Sequence, residues 1–233
     1  MSKPIVVNFP SGATPIGTIT IPISTDLNID VLALINNGRP LQFPYLQRKL
    51  GFFSGGADDL FTIAINFEGY DVNNNPLSEN PPGPIVGEPI EYTTNEYHII
   101  TSLTITGTAD TGGTLEFYLG DVGQSQWFLF DLNRPYFGAT IQTSQTGTLT
   151  YTVEYTSDEL TVKNAEGIEV ANPNLNRTKT IQLTDSSTVY VMENSAESKC
   201  WNVGASPMRA HRFIVTGGAD AGSLQYIVTQ TGI

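Results

Sequence analysis

Apolar and polar residues take turns at every second position in many short stretches of this chain, and each stretch closes on Gly, Pro, Asn or Asp. Leu149, Tyr151, Val153 and Tyr155 alternate with Thr148, Thr150, Thr152, Glu154 and Thr156. Successive strand side chains point to opposite faces, so this run predicts a strand with one buried and one wet face. Phe61, Ile63, Ile65 and Phe67 predict another, ending at a turn-rich tip over residues 69–76. Ile19, Ile21 and Ile23 predict a third. Pro22 confines it to a sheet edge, because proline has no N–H to give to a ladder. Ile181 and Leu183, then Val189 and Val191, predict two more, joined by a turn at Asp185-Ser186-Ser187. Residues 26–37 fit two periods at once. Leu27, Ile29 and Val31 alternate as in a strand, while Val31, Leu34 and Ile35 fit one short helix closed by Gly38. Residues 80–89, with four prolines, and 164–176 read as exposed loops.

One pattern occurs twice. Thr106-Gly107-Thr108-Ala109-Asp110-Thr111-Gly112-Gly113-Thr114-Leu115-Glu116-Phe117 recurs as Thr216-Gly217-Gly218-Ala219-Asp220-Ala221-Gly222-Ser223-Leu224-Gln225-Tyr226, one residue shorter. Ser54-Gly55-Gly56-Ala57-Asp58 is a fainter echo. Alternating apolar residues flank both copies: Ile99, Leu103 and Ile105 before the first, Phe213 and Val215 before the second. Each therefore reads as strand, turn, strand, with glycine supplying the positive φ that the turn requires. Two such copies predict two related units. The expected fold is all-β, with two tandem β-sandwich-like domains of jelly-roll or immunoglobulin-like type. The boundary falls within residues 120–126, giving domains 1–122 and 123–233.

Composition sharpens this reading. Only 15% of the 233 residues are charged, against about 25% in an ordinary soluble domain. The 22 Gly and 14 Pro suit a chain with many turns and argue against a helical bundle. The net charge of −12 repels phosphate backbones and anionic lipid, and the eleven cations are scattered, so neither nucleic acid nor membrane is expected as a partner. No apolar run approaches the roughly 18 residues of a spanning helix. Pro4, Asn8 and Pro10 interrupt any signal-peptide core. Cys200 is the only cysteine, which excludes an internal disulfide and a multi-cysteine zinc site.

Candidate chemistry is sparse. His98 and His211 each stand alone between strand-like neighbours and read as structural. No serine sits in a Gly-x-Ser-x-Gly elbow, and no His-x-x-x-His spacing is present. Asp71-Val72-Asn73-Asn74-Asn75 opens like a calcium loop, but Pro76 and Pro82 hold its sixth and twelfth positions, so it reads as a turn. Asp58-Asp59 and Asp158-Glu159 read as solvated turn acids. The expectation is no catalytic residue, no metal and no cofactor. Trp127, Phe128, Phe130, Tyr136 and Phe137 form an aromatic cluster denser than one core face requires, and residues 127–130 are apolar on both parities. They are expected to serve a protein interface or an inter-domain contact; a sugar-binding platform is the other reading. Arg209 and Arg212 are also expected at the interface, pairing with acidic neighbours; they fall on opposite strand faces, so they should serve different partners, the alternative being that one of them is a buried structural ion pair.

Three stretches resemble bacteriophage virion structural proteins of the tailed-phage head and tail type. Residues 54–65 followed by Gly69-Tyr70-Asp71-Val72-Asn73-Asn74-Asn75-Pro76-Leu77-Ser78-Glu79 look like their "Gly-x-Asp-x-Gly … strand … Gly-x-Asp-x-Asn-Gly-Asn-Pro-x-x-Glu" segment. A strand near residues 97–106 and a Gly-rich final hairpin follow, as in those proteins. Gly147-Thr148-Leu149-Thr150-Tyr151-Thr152-Val153-Glu154-Tyr155-Thr156-Ser157-Asp158-Glu159 looks like their "Gly-Thr-x-Thr-Tyr-x-Val-x-x-Thr-x-Asp-Asp" strand, with Glu159 replacing the last Asp. Residues 207–213 through 230–233 look like their closing "Pro-x-x-Ala-x-Arg … strand … Gln-x-Gly" segment. The likeness touches about half the chain and leaves out residues 1–50 and 160–206. It implies a non-enzymatic virion protein, assembled in the host bacterial cytoplasm as homo-oligomeric copies. The place would be the head surface (as capsid decoration), the head–tail junction or the tail, and the partners portal, capsid or tail components. Two rival readings remain: a host-glycan or receptor-binding module of a tail tip or fibre, with Tyr70, Asp71 and Asn73 as contacts, and a glycan hydrolase with two carboxylates about 5–9.5 Å apart in one cleft.

Overall fold

The computed structural model describes residues 5–9, 15–56, 59–131, 138–175, 177, 180–182, 189–191, 195–196, 198–204, 208–217 and 222–231. It is nearly all β, with 60% strand and 3% helix. The elements run β1 (Ile5–Phe9), β2 (Gly17–Ile21), β3 (Ser24–Asp30), α1 (Val31–Ile35), β4 (Leu41–Gln42), β5 (Leu46–Ser54), β6 (Ile63–Tyr70) and β7 (Pro76–Glu79). Next come β8 (Glu91–Tyr92), β9 (Ile99–Ala109), β10 (Gly113–Ser125), β11 (Phe128–Leu129), β12 (Gly138–Thr146), β13 (Thr150–Thr156), β14 (Thr161–Lys163) and β15 (Glu169–Ala171). The last are β16 (Thr180–Gln182), β17 (Val189–Val191), β18 (Lys199–Gly204), β19 (Ala210–Gly217) and β20 (Gly222–Thr231). The chain divides into two compact units. Phe9–Gln126 forms one, and residues 5–8 of β1 join the described residues from Trp127 onward in the other.

In the Phe9–Gln126 unit, β10 lies between β2 and β5, and β8 extends β5. The second sheet is β3-β9-β6-β7, with β4 beside β9. All these pairings are antiparallel. Ile21, Phe52, Leu115 and Phe117 from one sheet and Ile65, Phe67, Leu103 and Ile105 from the other share one fully buried core. Phe52 and Phe67 meet across it with ring centroids 6.1 Å apart. Residues 26–37 use both of their periods in succession. β3 runs straight into α1, where Asp30 Oδ1 accepts the Ala33 N–H at 3.1 Å and Gly38 (φ 72°) ends the turn.

In the other unit, β19 lies between β11 and β13, and β1-β20-β12-β18 forms a four-stranded sheet. Phe213 of β19 and Tyr226 of β20 meet between them at 5.0 Å. β14–β15 and β16–β17 are small separate hairpins. Leu183 and the Asp185-Ser186-Ser187 turn lie outside the described residues.

Strands flank the repeated segment in both copies, but neither pair of strands forms a hairpin. β9 and β10 belong to opposite sheets, and so do β19 and β20. The reason is edge occupancy. Ile105 of β9 already pairs with Ile29 on one side and Ile65 on the other, and Leu115 of β10 pairs with Ile19 and Ser54. No ladder edge is left for the neighbouring strand in sequence, so the chain arches across the core.

Five other expectations change. β13 is not wet on one face: Thr152, Glu154 and Thr156 are buried as well as Tyr151 and Val153. Phe61 sits in the turn before β6 and is exposed, and Ile23 lies beyond the end of β2. Residues 164–176 are not all loop, because β15 falls within them. Residues 80–89 are not a free loop either. Ile65 N–H donates to Pro81 O, Gly83 N–H to Ile63 O and Leu60 N–H to Pro84 O, so the proline segment caps the edge of β6. That approach requires glycine, since a Cβ on Gly83 would lie 2.1 Å from Leu60 O. Gly83→Ala should therefore cost about 2 kcal/mol or more, read as a lower urea midpoint with an unchanged m-value; wild-type stability would refute this packing.

Candidate functional site

The aromatic cluster resolves into individual roles. β11 lies beside β19 with Phe128 opposite His211 and Leu129 opposite Ala210. Phe128 stacks on His211 at 5.5 Å and lies 6.4 Å from both Phe213 and Tyr226. Phe130 is buried against His211 at 4.5 Å. Both phenylalanines thus pack inside their own unit. Leu129 between them is 68% exposed. It was hidden in the sequence by apolar neighbours of both parities, although strand alternation alone would have turned it outward. Tyr136 and Phe137 lie outside the described residues.

The two arginines separate as their spacing requires. Arg212 faces Glu154 across the β13–β19 ladder, Nε donating to Oε2 at 2.8 Å. Both side chains are buried, and the guanidinium lies 4.5 Å over the Trp127 ring. This pair explains why the polar face of β13 is covered. Arg209 instead pairs with Glu159 at 3.1 Å in solvent, a contact of the kind that contributes only ~0–1 kcal/mol. Glu159 and Asp59 are therefore engaged acids; Asp59 Oδ1 accepts the Val86 N–H at 2.8 Å. Asp58 lies outside the described residues.

The histidines are occupied too. His98 Nδ1 lies 2.9 Å from Leu46 O. His211 shares a hydrogen bond of 2.8 Å with the Tyr226 hydroxyl. Burial among the aromatic rings holds His211 down at about 3 and pushes the Tyr226 phenol well above its ordinary value. At neutral pH His211 is an uncharged packing residue without access to solvent.

Tyr70, Asp71 and Asn73 do not converge. Asp71 turns back into its own loop, where Oδ1 accepts the N–H of Asn73 and of Asn75, and Oδ2 accepts Asn75 Nδ2, each at 2.8 Å. Asn74 takes φ 61° to close the turn. Tyr70, at the end of β6, stands on the outer sheet face. It lines a shallow groove of about 250 Å³ with Glu68, Gly69, Pro76, Leu77, Ser78 and Thr101. Glu68, Ser78 and Thr101 lie apart in the sequence, and only the strand register brings them together. Among the described residues, no group of three His, Cys, Asp or Glu is placed to hold a metal ion, and no helix is long and apolar enough to cross a membrane.

No protein-family model matches this chain, and no curated protein matches it significantly.

Two outcomes test the buried groups. His211 has a folded pKa below its unfolded value, so the unfolded chain takes up the proton first as pH falls. Its contribution is complete above about 6.5 and is lost as the pH drops toward about 3. The loss of unfolding free energy between pH 7 and pH 4 should shrink by an amount on the order of 2–3 kcal/mol in His211→Gln, measured by urea titration at both pH values. Glu154→Leu should cost about 3–5 kcal/mol by stranding the Arg212 charge, while Glu154→Leu with Arg212→Met should recover most of it. Equal losses in the single and double variants would show that the pair is not acting as a unit.

Proposed function

We propose that this chain is a non-enzymatic structural component of a bacteriophage particle, present in many copies on the head surface, at the head–tail junction or along the tail. Its partners are portal, capsid or tail proteins and further copies of itself. The ordered resemblance of residues 54–79, 147–159 and 207–233 to virion proteins supports this reading. So does the use of the chain's titratable groups. Arg212 with Glu154, His211 with Tyr226, and Asp71 within its turn all serve the fold.

The observation that carries the proposal is the β14–β15 hairpin. Every residue of both strands is exposed, and Val162 and Val170 face each other across the ladder. Ile168 at its tip is 61% exposed. An isolated two-stranded hairpin is marginally stable in water. One that displays paired valines and open backbone edges suits an arm that docks on a neighbouring subunit. The acidic remainder of the surface limits unspecific association.

The test is gold-labelled antibody imaging of intact and disrupted particles of the encoding phage. Label on the head, neck or tail is expected; no label on either preparation refutes the proposal. Val162→Asp with Val170→Asp should reduce incorporation into particles at least tenfold while the melting temperature changes little. Wild-type incorporation of that variant would remove the hairpin from the assembly contact.

A further inference from the structure

The groove around Tyr70 owes its form to an irregularity in the β6–β9 ladder. Glu68 pairs with Ser102, but Gly69 pairs with Ile100, so Thr101 is the extra residue of a β-bulge. Its hydroxyl donates to Glu68 O at 3.3 Å. Gly69 makes the bulge possible, because a Cβ there would lie 2.1 Å from Ile99 O. A bulge bends its strand and re-aims side chains. Here it brings Thr101 to the outer face, beside Glu68 and Tyr70. On the opposite side, β7 sets Ser78 against Glu68 and Pro76 against Tyr70. Four groups from three strands thus surround one hollow: a phenol ring, a carboxylate and two hydroxyls.

That composition selects a ligand. Its volume of about 250 Å³ falls just below the range of about 300–1,000 Å³ typical of drug-sized ligands, so it suits one small ring. Tyr70 is 40% exposed, and the face of a phenol ring is electron-rich, so polarised C–H groups are attracted to it. Glu68 accepts hydrogen bonds, Ser78 both donates and accepts them, and Thr101, whose proton is committed to Glu68 O, accepts. No cation lines the groove, and the chain carries a net charge of −12, so anionic ligands are repelled.

We propose that this groove binds the ring of a neutral hexopyranose. The C–H face of the sugar lies on Tyr70, and its hydroxyls bond to Glu68, Ser78 and Thr101. Asp71 and Asn73 take no part, since neither lines the groove and Asp71 is engaged within its own turn. The inference does not rest on the virion reading, because it concerns the isolated chain.

Saturation-transfer NMR on the purified full chain tests it, with the methyl glycosides of glucose, galactose and mannose, N-acetylglucosamine, and sialic acid as the anionic comparison. Transfer to the ring protons of at least one neutral sugar and none to sialic acid is expected. Tyr70→Ala should reduce the transfer at least tenfold and Glu68→Gln several-fold, while Tyr70→Phe retains it and keeps the wild-type melting temperature. No transfer to any neutral sugar, transfer to sialic acid alone, or transfer that survives both Tyr70→Ala and Glu68→Gln would overturn the proposal. A groove that serves only as a protein contact would give the first of these results.

Discussion

Contact between facing sheets holds both units together, and it does so through a few large rings. Phe52 meets Phe67 in one unit, and Phe213 meets Tyr226 in the other. Burying each such side chain stabilises by about 1.5–3 kcal/mol, and strand alternation repeats that gain along every ladder. The seam also dictates the course of the chain. Once the core strands have partners on both edges, a tight turn can lead only to the opposite sheet. The segment between β9 and β10 is therefore an arch, and β19 and β20, which flank the second copy, likewise lie in different sheets.

Charge follows the same logic. Arg212 and Glu154 sit where an alternating strand should meet water, yet Trp127 covers them and the ladder aligns them. A buried pair of this kind contributes little net stability compared with apolar residues of similar size. Its effect is registry: β13 displaced by one residue against β19 would strand both charges. Arg48 shows a related arrangement in the other unit, where its buried guanidinium donates to Gly120 O through Nε at 3.1 Å and Nη2 at 2.6 Å. Both arginines hold strands in place.

Period-two alternation made the strands around Ile19, Ile63, Leu149 and Phe213 legible before any coordinates, and Gly38 marked the end of the short helix. Pairing was not legible. Nothing local in residues 106–117 distinguishes an arch from a hairpin, because the difference lies in which edges distant strands have already occupied. The covered polar face of β13 was invisible for the same reason, since Trp127 and Arg212 come from far along the chain. For the site, Tyr70 was visible as an exposed aromatic near a turn. Its neighbours in sequence, Asp71 and Asn73, were not its neighbours in space. Glu68, Ser78 and Thr101 are brought there by register and by a bulge that follows from the missing Cβ of Gly69.

The placement of β1 beside β20 bears on the order of events during synthesis. Ile5–Phe9 emerges from the ribosome long before Gly222–Thr231, the strand it pairs with. Throughout that interval β1 has an open edge and no ladder, while Phe9–Gln126 can already close its own core. The sheet containing β1 is completed only after translation has passed β20. Closing so long a loop carries an entropic cost that local hairpins avoid. Until then β1 is an unpaired strand of the nascent chain, a natural point for chaperone capture and for exchange of strands between chains translated side by side.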